Sequence, residues 1–419
     1  MICMRLFIYQ IAVHFLILLS PIKFLFRAIK QPAYLNFIFE RYGIFRTQIF
    51  NKKLIWFHCV SVGETRAIKT LLQLLLEKHI SYDFLITHGT PTGRNVVLTE
   101  SKRVHRAYLP FDSFILNKRF LRHFKPRIAI FLETEIWPSL LNELSKKKIP
   151  SILINARLSK RSLDKYLKFE NFSRETFAKF DHIVAQSKID KDHFHKITKQ
   201  KIALSSNLKF NQAIEAVNSK HIVAIKNKFS LNNKFIVSLI SSRKGEEKIF
   251  LDSIKNLDPS RYSFIIVPRH PDRFSEVEKI FIKMKFSYIK MAQLKVEKKS
   301  SPYLILGNTM GEINNYIALS DLVFVGGSIG DYGSQNPIEP LLMGKPTVVG
   351  QSTHNFFSII KEAILAKIIY QIEIANLSFF IEKFSESGDD LNYQKNIKTF
   401  LDKNKKGEEK VISLISKYL

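Results

Sequence analysis

Leu54-Ile55-Trp56-Phe57-His58-Cys59-Val60 runs directly into Ser61-Val62-Gly63-Glu64, and behind it Ala67, Ile68, Leu71, Leu72, Leu75 and Leu76 recur at the spacing of one helical face. A short aromatic and β-branched run, a glycine turn and an apolar helical stripe make a βα unit. The unit repeats. Apolar runs at 83–87, 127–132, 151–155 and 182–185 predict further strands. The rhythm lapses over the polar, lysine-rich stretch 211–233, read as an interdomain connection, and resumes with predicted strands at 235–241, 263–267, 303–306, 322–325 and 347–349. Strands alternating with helices predict parallel sheets covered on both faces. Two such halves predict an α/β protein of two Rossmann-like domains facing a cleft, with ligand at the carboxyl ends of the strands. The expected division is an N-terminal anchor at 1–30, a first domain at 31–210, the connection at 211–233, a second domain at 234–395 and an amphipathic C-terminal helix at 396–419.

Composition narrows the partners. Lys and Arg number 65 against 37 Asp and Glu, a formal net charge of +28, which favours an anionic partner: nucleic acid, anionic lipid or a phosphorylated substrate. Abundant Lys, Ile, Asn and Phe also fit compositional drift, so charge alone does not choose among them. The two cysteines, Cys3 and Cys59, have neither disulfide-framework nor zinc spacing. The run 6–22 carries no Lys, Arg, Asp or Glu and reaches the short end of the roughly 17–25 residues that span a bilayer. Lys23, Arg27, Lys30 and Arg41 follow it and only Arg5 precedes it, which places the bulk of the chain on the cytoplasmic side. The run lacks a small-x-small cleavage site, which disfavours a signal peptide; a helix lying in the membrane interface is the other reading.

Six stretches at predicted strand ends carry chemistry. Glu64 stands at a helix start, as a general base for an acceptor hydroxyl or as a carboxylate complementing the helix dipole. Thr87-His88-Gly89-Thr90-Pro91-Thr92-Gly93-Arg94 is a capped turn or an anion holder. Glu133 and Glu135 are costly to bury unpartnered, and Arg157 is the expected partner and structural support. Pro268-Arg269-His270 ends a strand, and the planar fork of Arg269 suits phosphate, or the stretch is a solvated turn. The N–H groups of Met310, Gly311 and Glu312 are expected to open a helix toward an anion, and the sequence is not G-x-G-x-x-G. The strongest is Phe324-Val325-Gly326-Gly327-Ser328, then Gly333-Ser334-Gln335-Asn336-Pro337-Ile338-Glu339-Pro340. Gly327 permits close backbone approach, Asn336-Pro337 opens a helix, and Glu339 is placed for a ribose hydroxyl pair. Asp190-Lys191-Asp192 reads as a helix cap, and no metal site is assigned.

Taken in order, Ser-Val-Gly-Glu at 61–64, Thr-Pro-Thr-Gly at 90–93, Glu-Thr-Glu-Ile-Trp-Pro at 133–138, Asn-Ala-Arg-Leu-Ser at 155–159, Asn-Leu-Lys-Phe at 207–210, Pro-Arg-His-Pro at 268–271, Thr-Met-Gly-Glu at 309–312 and Asn-Pro-Ile-Glu-Pro at 336–340 resemble the 3-deoxy-D-manno-octulosonic acid (Kdo) transferases. The resemblance implies a two-Rossmann (GT-B type) fold, CMP-Kdo as donor, a lipid A precursor (lipid IVA) as acceptor, no metal or other cofactor, and work at the cytoplasmic face of the inner membrane in lipopolysaccharide biosynthesis. It implies Glu64 as general base, Glu133 and Glu135 on the acceptor side, and Pro268, Arg269, Met310, Gly311, Glu312, Gly327, Asn336 and Glu339 around CMP. Ser242, Arg243 and Lys209 are further candidates for phosphate or sugar contacts. Two departures stand out: Ser242-Arg243 replaces a Thr-His pair before Gly-Glu-Glu, and Gly333-Ser334-Gln335-Asn336-Pro337 lacks the histidine of Gly-Gly-His-Asn-Pro. A nucleotide-sugar epimerase of the same fold and a nucleic-acid-binding protein are the competing readings; no nucleic-acid-binding motif supports the latter.

Overall fold

The computed structural model describes residues 2–46, 50, 52–212, 217–293, 301–387, 391–405 and 407–419. The chain divides into two compact units, one of residues 1–213 with 404–419 and one of 214–403.

The first unit is built on a seven-stranded sheet of β1 (Lys53–Cys59), β2 (Tyr82–His88), β3 (Val104–Tyr108), β4 (Pro126–Leu132), β5 (Ser151–Ala156), β6 (His182–Ala185) and β7 (Ile202–Leu204), in the order β3-β2-β1-β4-β5-β6-β7. Every pairing is parallel. β1 and β2 are buried almost throughout because helices cover both faces, so alternate residues feed two cores. Trp56 and Phe131 enter one with Phe120 and Leu141; Ile55 and Ile130 enter the other with Leu71 and Leu75. The chain runs outward from β1 to β3, then returns to β4 on the other side of β1. That reversal puts the switch point at the carboxyl ends of β1 and β4, where open α/β sheets bind ligands.

The second unit holds β8 (Phe235–Ser242), β9 (Tyr262–Pro268), β10 (Tyr288–Lys290), β11 (Leu304–Leu306), β12 (Leu322–Val325), β13 (Thr347–Val349) and β14 (Ile369–Gln371), in the order β10-β11-β9-β8-β12-β13-β14, again all parallel. Its switch point lies at the carboxyl ends of β8 and β12.

Two segments differ from expectation. The polar stretch 211–233 contains a helix, Ser219–Lys228, capped by the Asn218 side chain, and Ile225, Phe229 and Leu231 are buried. Ile225 in the helix and Phe229 and Leu231 just after it anchor the segment, a signal its lysines obscure. The C-terminal stretch is two helices, Leu391–Lys405 and Gly407–Ser416, the second returning to the first unit. There Val411 and Ile415 join the core around Leu71, and Tyr82 donates a 2.6 Å hydrogen bond to the Leu419 carbonyl.

The N-terminal run forms one helix, Ile2–Lys30, extending past Pro21. Gln10, Val13, Ser20 and Phe24 make a buried stripe along it. The Gln10 amide donates to the Asp112 carbonyl at 2.9 Å and accepts from the Phe114 N–H at 3.1 Å. Ser20 bonds the Tyr42 hydroxyl at 2.7 Å, and Phe24 packs against Phe111. The other faces leave Phe7, Ile11, Phe15, Leu18, Ile22 and Phe26 exposed.

Candidate active site

The first switch point gathers three carboxylates. Ser61 caps the short helix Val62–Ala67, accepting from the Glu64 N–H at 3.3 Å and donating to Glu64 Oε1 at 2.9 Å. Glu64 Oε2 accepts from the Val60 N–H at 2.8 Å. Glu64 is therefore a capping carboxylate, as the dipole reading expects, but its surroundings do not suit that role alone. A cap in water keeps its charge; here only 8% of Glu64 is exposed. Burial, then the charges of Glu133 and Glu135, push its carboxyl up to about 8, against the pull of the Val60 and Ser61 hydrogen bonds.

Glu133 and Glu135 follow β4, whose backbone pairs with β1, and this parallel pairing brings both acids beside Glu64. Glu133 has a positive φ of 54°. Burial raises its carboxyl, but the Lys209 ammonium at 2.8 Å and the charge of Arg157 outweigh burial and hold it below the usual range. Glu133 thus has a close ion pair with Lys209, from the Asn207–Phe210 motif, and also feels the charge of Arg157, the partner expected for Glu133 or Glu135. Lys209, a candidate for phosphate or sugar contacts, is engaged with Glu133. Glu135 accepts from the Trp137 indole at 3.0 Å and lies 3.7 Å from His58 Nε2. Arg94 is likewise committed: it pairs with Glu40 and stacks on Phe37 and Tyr108, so the turn at 87–94 is structural. The cap expected of Asp190 is Ser187, which accepts from the Asp190 N–H at 3.1 Å at the start of the helix Lys188–Ile197; the Asp190 carboxylate instead accepts from the Leu158 N–H at 2.8 Å.

The second switch point is cationic. Gly326 admits no side chain: a Cβ there would lie 2.7 Å from Ser242 Cα and 2.8 Å from the Ser241 carbonyl. Glu246, only 1% exposed, ties the two strand ends together. Its Oε2 accepts from the Arg243 and Gly327 N–H groups at 2.7 and 2.6 Å, and its Oε1 from Ile329 at 2.9 Å. Glu247 accepts from Ser242 Oγ at 2.6 Å and holds Arg273 through both oxygens at 2.6 and 3.0 Å. Ser242 is thereby structural. Arg243 and Arg269 differ from Arg273: neither has an ion pair among the described residues, and Arg269 is exposed. Arg243 rests over the Tyr332 ring and lies 3.2 Å from His270 Nε2. Burial, then the charges of Arg269 and Arg243, hold the His270 imidazole below its ordinary value. Arg243 follows β8 and Arg269 follows β9, so two cations stand at neighbouring strand ends beside buried Pro268, an arrangement whose charge suits an anion.

The remaining candidates surround that site in part. Asn336 Oδ1 accepts from the Ile338 N–H at 3.1 Å, and its amide donates to Glu339 at 3.2 Å, which ties the two side chains together. The helix there is Ile338–Leu342, with Pro337 at its cap rather than in its first turn. The expected helix start at Met310, Gly311 and Glu312 moves: the helix is Ile313–Leu319. Gly311 has φ of 79°, a left-handed conformation that cannot belong to a helix, and Glu312 accepts from Thr309 Oγ1 at 2.6 Å. Met310 is 70% exposed on this turn. Sequence reasoning missed Glu246, whose role needs the third dimension, and His354, which packs against Gly333 where a Cβ would meet its ring at 2.4 Å. A glycine at 333 followed by a displaced histidine was the available signal. Among the described residues no three His, Cys, Asp or Glu side chains group as a metal would require.

The family model described as 3-deoxy-D-manno-octulosonic-acid transferase (kdotransferase) matches residues 37–212. The 3-deoxy-D-manno-octulosonic acid transferase of Bordetella pertussis is 31% identical over 329 residues, 74% of each chain. The chain belongs to the Kdo transferase family. It is a glycosyltransferase. The bifunctional glycosyltransferase/methyltransferase of Fusobacterium nucleatum subsp. nucleatum is 29% identical over 91% of this chain, which spans 60% of that relative's length. In fold, the transferase is similar to a solved glycosyltransferase from Rickettsia africae, with TM-score 0.59 at 16% identity over 88% of this chain and 99% of that one.

Proposed function

We propose that this transferase moves Kdo from CMP-Kdo to the lipid A precursor, with Glu64 as general base and no metal. The observation that carries the reading is the buried Glu64 carboxyl, held near pH 8 beside Glu133 and Glu135 at the first switch point. A base poised close to working pH is the one that both takes a proton and is able to release it. The acceptor hydroxyl gives its proton to ionised Glu64 while its oxygen bonds the anomeric carbon of Kdo. The bond from that carbon to the CMP phosphate breaks, and its electron pair stays on the phosphate oxygen. Arg269 and Arg243 stabilise the charge that develops there, the task a metal performs elsewhere. Asn336 and Glu339 hold the ribose side of the nucleotide.

The N-terminal helix, on this reading, lies on the cytoplasmic face of the inner membrane rather than across it. Buried hydrogen bonds from Gln10 and Ser20 hold it along the first unit, while its exposed phenylalanines and leucines face lipid. The net charge of +28 favours the same anionic surface.

An epimerase acts on its nucleotide sugar alone, so the test is acceptor dependence. CMP release from CMP-Kdo is expected only when lipid IVA is present. An isomer of Kdo formed without acceptor would support the epimerase instead.

A further inference from the structure

A cavity of about 760 Å³ opens between the start of the N-terminal helix, the segment after Glu135 and the helix Glu170–Phe177. It lies within the 300–1,000 Å³ range of small-molecule sites. Its walls are almost wholly apolar, with Ile8, Ile136, Phe172 and Phe177 among them. Three of the polar side chains that reach it are already used. Tyr9 donates to Asp112 at 2.9 Å, Ser173 to the Tyr166 carbonyl at 2.8 Å, and Thr176 to the Phe172 carbonyl at 2.8 Å. The interior therefore offers a ligand contact but almost no hydrogen bonds, which suits a hydrocarbon and penalises a sugar or nucleotide.

The cavity rim is the opposite. Arg5, Lys165 and Lys168 border it, and none has an ion pair among the described residues. Two further observations fix its surroundings. The helix that forms one wall carries the exposed apolar face of Phe7, Ile11 and Phe15, so the cavity opens beside a lipid-facing surface. Ile136 and Pro138, on another wall, directly follow Glu135 of the acidic switch point.

We infer that this cavity takes an acyl chain of the acceptor lipid, with a phosphate of that lipid on Arg5, Lys165 and Lys168 and its sugar delivered to Glu64, Glu133 and Glu135. The inference rests on the proposed function and adds how the acceptor is held. An anionic head with an apolar tail is the one chemistry that matches both rim and interior. Each methylene taken from water strengthens binding about fourfold, so a buried chain dominates acceptor affinity.

The test compares lipid IVA with its fully deacylated counterpart as acceptors for the full chain in detergent micelles. Thr176→Trp fills the cavity; Lys165→Glu with Lys168→Glu reverses exposed rim charges without touching the core. Each is expected to raise the KM for lipid IVA tenfold or more with the KM for CMP-Kdo within twofold of the unsubstituted chain; the rate on the deacylated acceptor, which keeps its phosphates, stays within twofold in Thr176→Trp and falls in the double lysine variant. Unchanged KM for lipid IVA in variants that melt at the unsubstituted temperature overturns the inference. So does equal competition by phosphatidylglycerol, which would assign the cavity to bulk membrane lipid. If the unsubstituted chain transfers to neither acceptor, the proposed function fails, and equilibrium binding of lipid IVA then decides the cavity separately. Binding lost in Thr176→Trp supports it, and equal binding in both proteins overturns it.

Discussion

Replacing Glu64 by Gln removes one ionisable oxygen and leaves the shape of the cap. The carboxyl's ordinary value is near 4.5, and burial with Glu133 and Glu135 raises it to about 8. Two consequences follow from the same shift. For activity, at pH 7 only about a tenth of the enzyme carries ionised Glu64, so kcat/KM rises close to tenfold per pH unit and levels off above about 8. The Glu64→Gln variant should lose that limb and run about 10²–10⁴-fold slower, the usual contribution of a positioned base. For stability, the group is raised on folding, so its contribution is full below pH 4.5 and falls as pH climbs to about 8, because the unfolded chain ionises first. At about 1.4 kcal/mol per pH unit, the variant gains on the order of 5 kcal/mol over the unsubstituted chain across that window. Initial rates from pH 6 to 9 and urea unfolding at pH 5 and 8 measure both. A rate profile that is flat through pH 8 in the unsubstituted chain, or that keeps its limb in Glu64→Gln, refutes the role of this carboxyl as base.

Three further outcomes are expected. Glu133→Gln removes a charge that acts on Glu64 and leaves Lys209 uncompensated, so the rate limb should move to lower pH; a limb that stays or moves up contradicts the coupling. Arg269→Ala should raise the KM for CMP-Kdo about ten- to a hundredfold, the cost of one charge-assisted contact, with no change in melting temperature because Arg269 is exposed and has no ion pair among the described residues. Gly326→Ala forces a methyl against the backbone of Ser241 and Ser242 and should destabilise the protein by about 1–3 kcal/mol in denaturant titrations.

The buried strands could be read from the sequence because they are continuous apolar runs with helical stripes between them. The four strands that could not, β3, β7, β10 and β14, are the four edges of the two sheets. Edge strands here are short and partly exposed, as in Ile202–Leu204 and Tyr288–Lys290, so neither apolar continuity nor alternation marks them. The site divides similarly. Glu64 and Arg269 were legible because each ends a strand and has a chemistry its position permits. The Glu133–Lys209 pair was not, since Lys209 is brought in by the chain beyond β7, far along the sequence from Glu133. The turn at Met310 was misread as a helix start because a left-handed glycine and a capping glycine look alike in sequence.

The most direct test of the account is mass spectrometry of lipid IVA after incubation with CMP-Kdo and the full chain. The account predicts lipid IVA heavier by one or more Kdo residues, with an equal number of CMP molecules released, and no such product from Glu64→Gln. Unmodified lipid IVA alongside a folded, CMP-Kdo-binding protein would contradict it.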